Sequence, residues 1–304
     1  MKRLIISLVL LLCLPVFLFA SNLHFALRNG QNHYAIRLIK SGANVNKIDK
    51  EGWTPLHYAV ENCNNHVVNY LLAKGANVHA KNIYGSTPLY YANSVYKIKA
   101  LLNKGAKINS ANKLKDTILH WTSEYGYIHL SSYLLRRGAN PNIKNQLGYS
   151  PVHSAAFMGK VRMIPLLKRY RANINIQSYA GLTPLFLAIK TGKYYMVTTL
   201  IRYGANKNSK TTKFFAPYNL PSKSTPLHMA IRSLFSDGRI INYLLKIRAN
   251  VHVKDSNGET PLDLAVKEHN KPILEYMGTK RQKLFKKRFL KQLIYKLRKY
   301  KKIK

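Results

Sequence analysis

The chain has 304 residues, with 50 Lys+Arg against 11 Asp+Glu and a formal charge of +39. A mean hydropathy of −0.22 with a single long apolar run excludes a multi-pass membrane protein, and 46% hydrophobic residues argue against a wholly disordered chain. The charge calls for an anionic partner of some kind: nucleic acid, a lipid surface, a cell-surface polymer or an acidic protein.

Lys2 and Arg3 open the chain, and Leu4 to Ala20 is a run of seventeen uncharged residues. Ser21 and Asn22 follow at once. This is the pattern of a secretory signal peptide over residues 1–20, cut after Ala20. Leu18 is larger than the small residue preferred three places before such a cut. The alternative is an uncleaved anchor over residues 4–20, at the short end of the spanning range. Cys13 lacks a lipid-attachment setting, because Leu12 precedes it. With Cys13 gone, Cys63 is the one cysteine left. Neither an intrachain disulfide nor a Cys-rich zinc site is then expected, so packing alone must hold the fold.

Two strings then recur in step. Thr54-Pro55-Leu56-His57 returns as Thr87-Pro88-Leu89-Tyr90, Thr117-Ile118-Leu119-His120 and Ser150-Pro151-Val152-His153. Thr183-Pro184-Leu185-Phe186, Thr225-Pro226-Leu227-His228 and Thr260-Pro261-Leu262-Asp263 complete it, and Ser21-Asn22-Leu23-His24 is a degenerate first copy. The copies start 33, 33, 30, 33, 33, 42 and 35 residues apart. The second string is Gly42-Ala43-Asn44-Val45-Asn46, with copies at Gly75, Gly105, Gly138 and Gly204. Arg171 and Arg248 replace its Gly in two further copies.

These motifs resemble the ankyrin repeat, over about residues 21–278 in eight copies. The resemblance implies an all-α repeat solenoid. Each unit would be a β-turn finger followed by two antiparallel helices. The residue chemistry agrees. Thr or Ser suits an N-cap, and Pro suits the first helical position, where an N–H is not needed. Gly after the second helix supplies a left-handed residue, so Arg171 and Arg248 each forfeit about 1 kcal/mol. Leu56, Ala59 and Val60, then Val67, Val68, Leu71 and Leu72, fall at helical spacing for buried stripes. No single repeat can bury its own face, so stability is expected to come from neighbours.

Three departures stand out. Repeat three is three residues short between Thr87 and Gly105. Nine extra residues fall within 209–224, read as an elongated finger carrying Phe214 and Phe215. Repeat seven has two extra residues near Ser236-Asp237-Gly238.

His57, His120, His153 and His228 share the fourth place of the string. A metal ladder is not expected, because successive repeats stack about a helix diameter apart, too far for shared ligation. In the family this His bonds the Thr of its own turn. No nucleophile motif, P-loop or dinucleotide fingerprint is present, and the carboxylates are scattered. Glu51 and Glu61 in repeat two read as a solvated pair. The chain therefore reads as a non-enzyme with no metal and no cofactor.

Binding is the better reading. In ankyrin proteins, partners lie along the fingers and inner helices. The matching places here include Lys50, Glu51, Trp53, Glu61 and Asn62 in repeat two, and Ile83, Tyr84 and Ser86 in repeat three. Repeat four offers Lys113, Leu114, Asp116, Glu124 and Tyr125. Repeat five offers Gln146, Leu147, Tyr149, Phe157 and Met158, and repeat six Tyr179, Ala180, Leu182, Lys190 and Thr191. The aromatic members Trp53, Tyr84, Tyr125, Tyr149, Phe157 and Tyr179 are the expected partner-binding residues, with Phe214 and Phe215 of the insertion. Alanine at Trp53 or Phe157 is expected to cost binding and little stability.

Many cations end the second helices, for example Lys40, Lys74, Lys104, Arg136, Arg169, Arg202 and Lys246. There they complement the helix dipole, and the alternative is that the repeat turns them into a positive ridge serving as a dedicated polyanion site. The tail, residues 279–304, differs: thirteen Lys+Arg and no acid. Phe285, Phe289, Leu290, Leu293, Ile294 and Leu297 fall on one side of a helical projection. Lys287, Arg288, Lys291, Arg298 and Lys299 fall opposite, so a basic amphipathic helix is expected. It fits an anionic membrane surface, or a cap on the last repeat. Nucleic acid ranks last among its partners, since export takes the protein away from the nucleic acid inside the producing cell.

The sequence thus reads as an exported, monomeric protein–protein interaction scaffold with an unidentified protein partner. The alternative is a membrane-surface or polyanion-binding protein acting through the tail.

Overall fold

The computed structural model describes residues 23–216, 219–233 and 238–267. The signal or anchor segment, the end of the repeat array and the basic tail, with Lys287, Arg288, Lys291, Arg298 and Lys299, lie outside the described residues. Among the described residues there are fourteen α-helices, one 3-10 helix and no strand. They form the first and second helices of seven consecutive repeats, and then Pro261–Lys267, the first helix of an eighth. The fold is an all-α repeat solenoid.

The described chain divides into two compact units. One holds residues up to 119 together with 129–140, and the other holds 120–128 together with those from 141 onward. In the first unit, Leu27, Leu56, Val60, Val67, Leu71, Ile98 and Leu101 are fully buried. In the second, Val152, Met163, Leu167, Leu185, Leu200, Ile240 and Leu244 are. Each such side chain contributes about 1.5–3 kcal/mol by leaving water.

Helix starts follow from the Thr-Pro step. Thr54, Ser150, Thr183 and Thr225 are N-caps with extended backbone, followed by proline at the first helical position. Helix ends follow from the glycines. Gly42, Gly75, Gly105, Gly138 and Gly204 have φ between +81° and +94°. A Cβ at these five would meet nothing within 4 Å. Backbone conformation alone therefore demands glycine there. Arg171 and Arg248 hold the same left-handed conformation, at φ 63° and 60°. Lys115 and Lys223, both at φ 62°, do so in the finger place that Gly52 and Gly148 occupy elsewhere.

Shortening reduces the first helix of repeat three to the 3-10 turn Pro88–Tyr91. Two side chains of that repeat then serve the helix Pro55–Asn62 of the repeat before. Asn93 Nδ2 donates to the Glu61 carbonyl at 2.8 Å, and Lys97 Nζ donates to the Val60 carbonyl at 2.8 Å. These are end carbonyls without a partner inside their own helix. Lys97 is buried, and burial lowers its pKa.

Within the insertion, residues 211–215 pair back against 220–224. Phe215 and Leu220 exchange both backbone hydrogen bonds, and Thr211 pairs with Ser224 and Lys223 at the base. The Thr211 hydroxyl donates to the Pro221 carbonyl at 3.0 Å.

Candidate functional site

The recurrent histidines are structural links. Nδ1 of His57 accepts the Thr54 N–H at 3.1 Å and lies 2.9 Å from its hydroxyl. That leaves the proton on Nε2, which donates to the Ser86 carbonyl of the next repeat at 3.0 Å. His153 does the same with Ser150 and Leu182, and His228 with Thr225 and Glu259. His120 reaches the Tyr149 carbonyl, and His24 the Lys47 and Trp53 carbonyls. Burial pushes His57 and His153 down to about 4, and it lowers His228 as well. The cause is the cost of charging an imidazole away from water.

A second set of links was not anticipated. The last Asn of the Gly-Ala-Asn string reaches the following repeat. Asn46 Oδ1 accepts the Asn77 N–H at 2.8 Å, and its Nδ2 donates to the Gly75 carbonyl. Asn142 does this with Asn173 and Arg171, and Asn175 with Asn206 and Gly204. Asn208 bonds Asn250 across 42 residues, spanning the insertion. The signal lay in the second Asn of that string, which recurs at 46, 109, 142, 175 and 208.

The predicted aromatic residues divide by environment. Tyr84, Tyr125 and Tyr179 are about half exposed, at 52%, 51% and 53%. Phe157 and Phe214 are exposed as well. Trp53 is different. It is half-buried, its ring 4.9 Å from Tyr58 and 4.5 Å from Tyr91. Tyr149 is half-buried against His153, with ring centroids 5.2 Å apart. Leu182, one of the places read as variable, is fully buried.

Within the second unit, the fingers and first-helix ends bring several of these together. The Tyr179 N–H donates to the Leu147 carbonyl of the preceding finger. Gln177 Nε2 donates to the Lys210 carbonyl at the base of the insertion. Phe157 and Phe215 both face Lys190, whose Nζ lies 5.8 Å and 5.2 Å from their ring centres. Lys144 lies 5.7 Å from the Tyr179 ring centre. Such cation–ring pairs contribute about 0.5–1 kcal/mol each at exposed places.

A three-copy model of ankyrin repeats matches residues 23–112 and 119–211, and a single-repeat model matches 222–256. The chain belongs to the ankyrin-repeat family. Comparison with curated proteins returns no match. Ankyrin-repeat membership makes the chain a protein–protein interaction scaffold, in a family that is generally non-enzymatic.

The electrostatics of this ankyrin-repeat protein differ between its units. In the first, a cleft of about 650 Å³ is lined by Arg28, Asp49, Lys50, Glu51, Trp53, Tyr58, Glu61 and Asn62. Asp49 is committed to the finger: Oδ1 accepts the Glu51 and Trp53 N–H groups, and Oδ2 accepts the Tyr58 hydroxyl at 2.6 Å. Glu51 and Glu61 are exposed there. In the second unit, residues 141–233 carry fourteen Lys+Arg and no acid. Among the described residues no group of three or more His, Cys, Asp or Glu gathers to hold a metal.

Proposed function

We propose that this ankyrin-repeat protein is exported and binds a protein partner through its fingers and the ends of its inner helices, by non-covalent contact alone. The observation that carries the reading is the exposed rings that each unit presents on its fingers and first-helix ends: Tyr84 in the first unit, and Tyr125, Phe157 and Tyr179 in the second. Side chains of this kind supply large contact area at low entropy cost and dominate protein interfaces. The repeat links hold their backbones rigidly, so little ordering is needed on binding. Export rests on the uncharged run Leu4 to Ala20 behind Lys2 and Arg3.

The second reading is attachment to an anionic membrane surface or polyanion through residues 279–304. It is favoured by thirteen cations without one acid in that segment.

A crosslinking pull-down separates the two. The protein from residue 21 onward is compared with a version ending at residue 278 and with a Tyr84→Ala, Tyr179→Ala variant. A protein captured by the first two and lost with the ring variant supports the finger-face reading. Capture lost only with the tail supports the second.

A further inference from the structure

We infer that the finger face of the second unit accepts an acidic protein segment bearing apolar side chains, an inference that rests on the finger-face reading above. The face presents Leu147, Phe157, Met158, Tyr179 and Phe214, each at least 40% exposed. Three consecutive fingers carry it, because residues 145–149, 178–182 and 211–216 are joined in turn. Tyr179 bonds Leu147, and Thr212 packs so closely on Gly181 that a Cβ there would lie 2.3 Å from the Thr212 nitrogen. The first helices that follow two of these fingers end at Phe157-Met158 and at Lys190.

Charge selects the partner. No acid interrupts residues 141–233, so nothing in that stretch would repel a carboxylate. Two cations of this face sit over its rings: Lys190 over Phe157 and Phe215, and Lys144 over Tyr179. Lys190 is half-buried, and its partial desolvation strengthens any contact it makes with a carboxylate. The insertion completes the arrangement. It turns Phe215 inward over Lys190 and leaves Phe214 outward. Arg232 fixes its far end, donating to the Asn219 carbonyl and pairing with Glu259. Apolar contacts beside well-placed cations match a segment that alternates carboxylates with Leu- or Phe-like side chains. Nucleic acid fits less well, because Leu147 and Met158 offer no ring on which bases stack.

The test uses the full chain and labelled short peptides. One alternates Glu with Leu and Phe. The second has Gln for every Glu, and the third has Ser for every apolar residue. An oligothymidine serves as the nucleic-acid probe. The first peptide is expected to bind about tenfold or more tighter than the other two, and more weakly as salt rises. Hydrogen exchange should slow at 144–160, 179–190 and 211–216. Phe157→Ala with Phe214→Ala should weaken binding about tenfold at an unchanged melting temperature, and Lys190→Gln should reduce the salt dependence. Protection confined to 279–304, or full binding by the double variant, would overturn the inference. So would tighter oligothymidine binding with the same footprint. Equal binding of the Gln peptide on these residues would remove the acidic requirement and leave the finger-face reading intact. Absence of any footprint outside 279–304 counts against both.

Discussion

His57 Nε2 donates to the Ser86 carbonyl 29 residues away, while Nδ1 of the same ring accepts from Thr54 three residues back. One neutral imidazole thus closes a helix start and ties it to the next finger. The bond spans 31 residues at His228, where repeat seven is longer, so the link follows the fold and not the count.

This dependence on neutral imidazole makes stability sensitive to acid. The folded values for His57 and His153 are about 4, below the ordinary 6.5. Above 6.5 neither state binds a proton there. Between 6.5 and 4 the unfolded chain takes up protons that the folded chain refuses. The stability present at pH 7 is therefore lost as pH falls through that window, by up to about 3 kcal/mol per histidine. Urea unfolding at steps from pH 7.5 to pH 4 checks this. His153→Gln should be less stable at pH 7 yet lose less of its stability on acidification.

Arg171 and Arg248 hold left-handed backbone without glycine. Arg171→Gly and Arg248→Gly should each raise stability by about 1 kcal/mol, and Gly138→Ala should lower it by a similar amount. Chemical denaturation of the three variants measures it.

Trp53 and Phe214 were both expected to be binding anchors, and their surroundings now separate them. Trp53 packs on Tyr58 and Tyr91, so Trp53→Ala should cost about 2 kcal/mol of stability. Phe214 is 58% exposed, so Phe214→Ala should change stability by less than about 0.5 kcal/mol. Thermal melts of the two variants against the parent decide this.

Cys63 is buried, its thiol donates to the Leu27 carbonyl at 3.2 Å, and burial pushes its pKa up to about 11. The native thiol should react with an aromatic disulfide reagent far more slowly than the unfolded chain at pH 8, since thiolate is the attacking form. Lys97→Ala removes the side chain that satisfies the Val60 carbonyl beside it. That variant should lower stability by about 2 kcal/mol.

The repeats were legible because Thr-Pro and Gly-Ala-Asn report local backbone chemistry at a fixed register. Those motifs marked the N-caps, the left-handed glycines and the strained Arg171 and Arg248 without any tertiary information. What escaped depends on partners far along the chain. Trp53 is covered by Tyr91, which the 3-10 turn of the shortened repeat presents to it. Nothing local in the sequence marks Lys97, whose side chain is buried and whose ammonium reaches a carbonyl 37 residues away. Phe215 lies in an insertion with no repeat register, so its place over Lys190 had no signal in the sequence. Lys115 and Lys223 were missed because the finger glycine they replace was not counted as part of the motif.

The central claim is that a protein partner seats on the finger face. It is tested most directly by placing one photo-crosslinking residue at Tyr179, on a finger, and separately at Arg169, the exposed end of a second helix. The account predicts a discrete protein adduct from position 179 and none from position 169. Equal adducts from both positions, or an adduct from 169 alone, would contradict it.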